Sequence, residues 1–382
     1  SLIEHKYPFN RRQYVTLKWG KVMADIRNLL SMMLQQGASD MILTAGYKPY
    51  LKVNGVMHIA YAPPLAQGET ATLALELLSP QQRQAFSEQK EANLAVSVDG
   101  IGRFRVNLYY QKGQISIAFR HVKDHVLSFE QLGLPKQAAD FAMLKRGLVL
   151  VTGMAGSGKT TSLAAMIEHR AKHLTGHILT IEDPIEYVFN HSRALIEQRE
   201  VGFDTLSFND ALRNVLRESV DVIVIGEIRD FETARQAVAY ADGGILCLAT
   251  MHANTADQAI SRLLNFFPIE MREQVLLDLS LNLKGVLCQR LLPSHGKQVL
   301  AAEVMVQSAY IADLIVAGRL YELKDAMRKS TEEGMQVFDE SLFRLYKAGL
   351  ISLDEAMHNA DSQADLAVRV RLASWDFPLQ LL

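Results

Sequence analysis

Apolar and polar positions follow two different rhythms along this chain, and the change of rhythm divides it. From Val22 the apolar positions Val22, Ile26, Leu29, Leu30, Met33 and Leu34 recur at helical spacing, with Gly37 as the stop. Short runs follow at Asp40 to Thr44 and Pro49 to Val53, and an Asn54-Gly55 hairpin turn leads into Val56 to Ala60. A helical stretch from Thr70 to Phe86, interrupted at Pro80, precedes strand-like segments at Ala92 to Val98, Arg103 to Tyr110 and Gln114 to Val122. Helices mixed with antiparallel strands predict a small α+β domain over 21–122. Residues 1–20 carry mixed charge without a clean period and read as a lead segment of unassigned role.

Residues 123–136, with Gly133 and Pro135, read as a connection. Over 137–382 the rhythm changes to apolar runs with few polar interruptions: Leu148 to Thr152, His177 to Ile181, Val222 to Ile225 and Ile245 to Thr250. Such runs are what parallel strands covered on both faces require, so the fold class predicted here is α/β. Between them, Ser207 can cap a helix whose apolar positions are Phe208, Ala211, Leu212, Val215 and Leu216. Asp230 can cap another, with Ala234, Ala237, Val238 and Ala241 inward and Gly243-Gly244 ending it. Two further strands, Gly285 to Leu292 and Val299 to Val306, precede a helical tail from Gln307 to about Leu372.

Each of the four buried runs ends on a group with chemistry to offer. The first passes into Gly153-Met154-Ala155-Gly156-Ser157-Gly158-Lys159-Thr160 and a helix from Thr160 to Lys172. Glycines let backbone N–H groups converge on phosphate oxygens, and the helix N-terminus adds a positive dipole end. In such a loop Lys159 serves the β- and γ-phosphates and the Thr160 hydroxyl serves Mg²⁺. The other runs end at Glu182-Asp183, Gly226-Glu227 and His252. In an open parallel sheet ligands bind beyond the carboxyl ends of the strands, so all four ends are expected to line one crevice. Hydrolysis of a nucleoside triphosphate needs metal ligands, a group that activates water and positive charge on the γ-phosphate. Glu227 is the candidate for the Mg²⁺ shell, directly or through water. Glu182, Asp183 and Glu186 are more carboxylates than metal binding needs, which leaves one as base. A capped turn at Pro184 and a structural role for His252 stay open beside these readings. Arg103 and Arg105 alternate with Phe104 and Val106, so both leave their strand on one side. By themselves they, and Arg120, read as a solvated face; with a phosphate loop in the same chain they become candidate phosphate donors.

Composition narrows the partners. Apolar residues make up 49% and charged residues 21% of 382, an ordinary globular balance. Lys plus Arg (40) nearly equal Asp plus Glu (42), with no long basic run, so nucleic acid is not expected as a partner. Cys247 and Cys288, each inside an apolar stretch, offer neither a disulfide framework nor metal-ligand spacing and suit a reduced compartment. No segment reaches about 18 consecutive apolar residues, so a cytoplasmic chain without a membrane span is expected.

Taken together, Gly153 to Thr161, Thr180-Ile-Glu-Asp-Pro-Ile-Glu186, Gly226-Glu-Ile-Arg-Asp230 and Thr250-Met-His252 resemble the Walker A, Asp-box, Walker B and His-box motifs of the type II/IV secretion ATPases. They are similar in particular to the type IV pilus retraction ATPases of the PilT/PilU group. The resemblance implies a RecA-like P-loop NTPase domain and a PAS-like N-terminal domain, with ATP and Mg²⁺ as ligands. It also implies a homohexamer peripheral to the inner membrane, engaged with a platform protein of the pilus machinery. It carries the general base to Glu186, the Walker B glutamate to Glu227 and the His-box histidine to His252, and the γ-phosphate arginines to Arg103, Arg105 and Arg120. Nucleotide contacts fall on Gly153, Gly156, Ser157, Gly158, Lys159, Thr160 and Thr161. Met154-Ala155 replaces the family's usual Pro-Thr at positions free to vary. The retraction signature Ala-Ile-Arg-Asn-Leu-Ile-Arg is absent; Tyr310-Ile311-Ala312-Asp313-Leu314-Ile315 stands in its place and is similar to PilU-type relatives, which implies a motor that assists a PilT-type ATPase. A nucleotide-sensing adaptor with little hydrolysis of its own is the alternative, and balanced charge disfavours a DNA translocase.

Overall fold

The computed structural model of the chain describes residues 15–16, 21–53, 55–123, 125–331 and 334–375. Contacts divide it into two units: unit 1 runs to His125 and takes in Glu186–Val188, and unit 2 comprises Val126–Ile185 and the chain from Phe189 onward.

Unit 1 is built from β1 (Val15–Thr16), α1 (Lys21–Gln35), β2 (Asp40–Thr44), β3 (Tyr50–Val53), β4 (Val56–Ile59), α2 (Glu69–Leu77), α3 (Pro80–Gln89), β5 (Glu91–Val98), β6 (Gly102–Gln111) and β7 (Gln114–Val122). Its sheet has the order β1-β5-β6-β7-β2-β3-β4, with the β5–β6–β7–β2–β3–β4 pairings antiparallel. Period-two alternation decides its faces. Phe104, Val106 and Leu108 of β6 and Ile117 and Phe119 of β7 are buried in one apolar cluster with Ile26, Leu30 and Met33 of α1 and Leu73 and Leu77 of α2. The helical stretch around Pro80 is two helices. Ser79 caps the second, Gln82 reciprocates, and Pro80 takes the first helical position, where its missing N–H costs nothing. Of the expected Asn54-Gly55 turn, Asn54 lies outside the described residues, while Gly55 has φ 83°. The lead segment also lies outside them, apart from Val15–Thr16, which pairs with Val96 and Ser97 of β5.

Unit 2 carries a second sheet, β8 (Gly147–Gly153), β9 (Gly176–Glu182), β10 (Ala194–Glu200), β11 (Val222–Ile225), β12 (Leu246–Met251), β13 (Leu283–Ser294) and β14 (Lys297–Val306), in the order β10-β9-β11-β12-β8-β13-β14. Every pairing is parallel except β13 with β14. Its helices are α4 (Phe129–Leu132), α5 (Lys136–Ala142), α6 (Lys159–His173), α7 (Phe208–Leu212), α8 (Phe231–Asp242), α9 (Ala256–Asn265), α10 (Arg272–Asn282), α11 (Ala309–Val316), α12 (Leu323–Lys329), α13 (Phe338–Lys347), α14 (Leu353–Asn359) and α15 (Gln363–Trp375). Strands β8, β11 and β12 are buried along their whole length, as apolar runs covered on both faces must be.

Three features differ from expectation. The edge strand β10 was not anticipated, because exposed Leu195 and Glu197 alternate with buried Ala194 and Ile196 and leave no apolar run to see. The helix expected from Ser207 through Leu216 ends at Leu212, and a 3-10 turn at Val215–Arg217 follows. The buried Tyr240 hydroxyl donates to the Leu212 carbonyl, the acceptor a continuing helix would have used. Finally, the stretch read as a connection contains α4, capped by Ser128, whose Phe129 ring lies 4.9 Å from the His169 ring of α6. No helix among the described residues is long and apolar enough to cross a membrane.

Candidate active site

The carboxyl ends of β9, β11, β12 and β8 lie along one edge of the sheet, in that spatial order. At the end of β8 the backbone of Gly153 has φ 148°, and a Cβ there would stand 2.3 Å from Ser157 Oγ and 2.6 Å from the Gln289 carbonyl, so only glycine fits. Gly158, at φ 86°, is the residue before α6, and a Cβ on it would meet Leu291 at 3.5 Å. Strand β13 thus floors the loop: Gln289 also donates its amide to Ser162 Oγ of α6 at 2.6 Å. Lys159 opens α6 and gives Nζ–H bonds to the carbonyls of Gly153 (2.9 Å) and Met154 (3.0 Å). The buried Ser157 hydroxyl has no hydrogen-bond partner among the described residues. An orphaned donor inside a glycine cradle at a helix N-terminus fits an oxygen-rich anion such as a phosphate chain.

Beside the loop, β11 and β12 deliver an acid and an imidazole. The Thr250 hydroxyl donates to the Gly226 carbonyl at 2.5 Å and Ile228 N–H to the Thr250 carbonyl at 2.9 Å, which fixes the turn after β11. Glu227 then points one carboxylate oxygen at His252 Nε2 (2.7 Å) and the other at the Arg229 guanidinium (2.6 Å). Arg229 also stands 3.7 Å from Asp183 at the end of β9. The second nitrogen of His252, Nδ1, lies 3.3 Å from the Gly153 carbonyl. With an acceptor on each side, both bonds are made only when both ring nitrogens carry hydrogen. The imidazole thus stands between the Gly153 carbonyl and the Glu227 carboxylate.

Glu182 is half-buried and held by the Thr180 hydroxyl (2.6 Å) and the Gln198 amide of β10 (3.2 Å). Thr160 and Thr161 lie on the first turn of α6. Among the described residues no group of three or more His, Cys, Asp or Glu is placed to hold a metal ion. The donors on hand are the Thr160 hydroxyl and the Glu227 carboxylate, a set that suits Mg²⁺ completed by phosphates and water. Burial raises the pKa of both cysteine thiols, which keeps Cys247 and Cys288 protonated and inert.

The remaining candidates belong to unit 1. Arg105 of β6 stands directly across from Arg120 of β7, and Arg103 is two residues along the same strand face. Arg120 Nε is 2.7 Å from Asp40 of β2, its neighbour in register. Glu186 is exposed, and its carbonyl accepts the Lys123 N–H at 3.1 Å. In unit 2, then, the structure gathers the loop, Glu227 and His252 into one bonded group, with Glu182 at the neighbouring strand end. Within unit 1 it gathers the three arginines on one face. Sequence reasoning gave no role to Arg229, although it sits inside Gly226 to Asp230. It could not see Gln198 or Gln289, whose partners are distant in the chain.

A family model, type II/IV secretion system protein, matches residues 17–340. The chain is 46% identical over 352 residues to the type IV pilus ATPase PilU of Pseudomonas aeruginosa, covering 92% of each chain. It is 39% identical over 337 residues to the type IV pilus retraction ATPase PilT of the same organism, covering 88% of this chain and 98% of that one. Among solved structures, the pilus retraction motor PilT with bound ADP superposes with a TM-score of 0.83 at 38% identity, over 92% of this chain and all of the other. The chain therefore belongs to the type II/IV secretion system protein family, as an ATPase of the PilT/PilU pilus type.

Proposed function

We propose that this chain hydrolyses ATP to power type IV pilus retraction, as a homohexamer peripheral to the inner membrane, assisting a PilT-type ATPase on the pilus platform protein in the manner of PilU. The observation that carries the enzymatic part is His252, which contacts both the Gly153 carbonyl and the Glu227 carboxylate. The auxiliary role is supported by the likeness to PilU and by Tyr310 to Ile315, where the retraction signature would stand.

In this mechanism the loop from Gly153 to Thr161 binds the phosphate chain through its backbone N–H groups. Lys159 exchanges its bonds to Gly153 and Met154 for phosphate oxygens. Thr160 and Glu227 would hold Mg²⁺, directly or through water, and a bound ion would supply charge neutralisation at the phosphate oxygens. Glu186 takes a proton from the attacking water as its oxygen bonds to the γ-phosphorus and the bond to the β-phosphate oxygen breaks, giving ADP and phosphate. Glu182 supports the Asp-box turn, while Arg103, Arg105 and Arg120 supply positive charge to the γ-phosphoryl group.

The test is Glu186→Gln, compared with wild type by steady-state phosphate release and by binding of a fluorescent ATP analogue. Binding retained with turnover lost supports the base assignment; turnover retained refutes it. A wild-type chain that binds ATP yet releases no phosphate would leave the nucleotide-sensing adaptor. Oligomeric mass and ATPase rate measured together, with and without a PilT-type ATPase, separate auxiliary from autonomous action.

A further inference from the structure

The run Leu300 to Val306 of β14 is apolar except for Glu303, and the structure buries that side chain almost completely, at 1% exposure. Its Oε1 accepts the backbone N–H of Ala256, the first residue of α9, at 2.8 Å. The ordinary cap for that helix is present and unused. Thr255 holds the N-cap position without a side-chain bond to the helix, and its hydroxyl and Glu303 Oε2 both lack hydrogen-bond partners among the described residues. A buried carboxylate without a bonded cation costs more than an apolar residue of its size, so packing alone does not call for it.

Its position relates it to the site. Glu303 pairs in register with Cys288 of β13, and Cys288 pairs with Thr152, one residue before Gly153. Only Ala253, Asn254 and Thr255 separate His252 from the N–H that Glu303 holds, and Ala253 and Thr255 are themselves buried. A loop this short transmits the placement of its far end. The charged and titratable groups acting on Glu303 are Asp257 of α9, Lys324 of α12 and Asp361 ahead of α15, with Cys288 of β13 beside it in register.

We infer that Glu303 is a positioning residue of the ATPase site: by holding the first turn of α9 it fixes the loop that carries His252, and so the contacts of His252 with Gly153 and Glu227. This rests on the reading of His252 as part of the site. Burial raises the Glu303 pKa to about 7, against the lowering effect of the Ala256 N–H and Lys324. The charged form is the stronger acceptor at a helix N-terminus, so the hold tightens as pH rises through neutrality.

The experiment compares Glu303→Leu, Glu303→Gln, His252→Ala and the Glu303→Leu/His252→Ala pair in the full chain. Phosphate release is followed against ATP concentration and between about pH 5.5 and 8.5, with a melting curve for each protein. Glu303→Leu should melt no lower than wild type yet lose about tenfold or more in kcat, with KM for ATP within about twofold. The double variant should be no slower than His252→Ala alone, since residues acting through one another are non-additive. Glu303→Gln keeps an acceptor and should retain most of the rate while losing the rise near neutral pH. Should Glu303→Leu fail to fold, a Glu303→Gln pH profile identical to wild type overturns the inference. A folded Glu303→Leu with wild-type kcat beside an impaired His252→Ala also overturns it. Full turnover in His252→Ala refutes the reading of His252, and this inference with it.

Discussion

The two sheets solve opposite problems. In unit 1 the sheet has one buried face, and its candidate chemistry stands on the other: Arg103 and Arg105 alternate with buried Phe104 and Val106, opposite Arg120. In unit 2 the central strands β8, β11 and β12 are buried on both faces, so they offer no solvated face and present their polar groups where they run out. A one-sided sheet can change its polar face at little cost to the core. A two-sided sheet confines function to its rim, where each group is held by a neighbouring strand end, as His252 is held between Gly153 and Glu227.

That contrast can be broken at its strongest point first. Lys159→Ala removes the rim's ammonium and should lower phosphate release by about a thousandfold or more, measured with excess ATP. Substantial turnover would mean the rim of unit 2 is not the reaction centre.

The next effect concerns the interior of the two-sided sheet. The Glu303 pKa is raised from 4.5 to about 7, chiefly by burial. Between those values the folded chain keeps a proton that the unfolded chain releases. The stability contribution is therefore full below about pH 4.5 and falls as pH rises through about 7, by about 3 kcal/mol in all. Melting curves should show the gap between Glu303→Gln and wild type widening in favour of the variant over that window; a constant gap would contradict it.

On the one-sided sheet, Arg105→Ala should cost about a hundredfold in kcat while the melting temperature stays within a few degrees of wild type. A large fall in melting temperature would show that the arginine face is structural. The smallest effect is expected at the Asp40–Arg120 pair, where the Arg120 side chain is 62% exposed. Asp40→Asn should change unfolding free energy by less than about 1 kcal/mol, read from denaturant midpoints.

Much of this is legible in the sequence. The apolar runs became β8, β9, β11 and β12, and Asp230 caps α8 as its type and place foretold, accepting the Thr233 N–H at 2.8 Å. The phosphate loop follows its strand and opens its helix as the glycine spacing required. Other features left no local mark. Strand β10 is half-solvated at an edge, α7 ends at Leu212, whose carbonyl accepts from a tyrosine 28 residues away, and Arg229 reads as any surface arginine until Glu227 is seen beside it. Glu303 did leave one, a lone charge in an apolar run, but its partner Ala256 is 47 residues distant.

The sequence by itself determined which segments are buried on one face or on two and which side chains stand at their ends, because burial period and loop chemistry are properties of neighbouring residues. Only the tertiary structure decided that β12 lies between β11 and β8, so that His252 reaches a carbonyl 99 residues away and a carboxylate from a third strand. Strand order is set by the packing of helices across the whole sheet, and no local spacing encodes it.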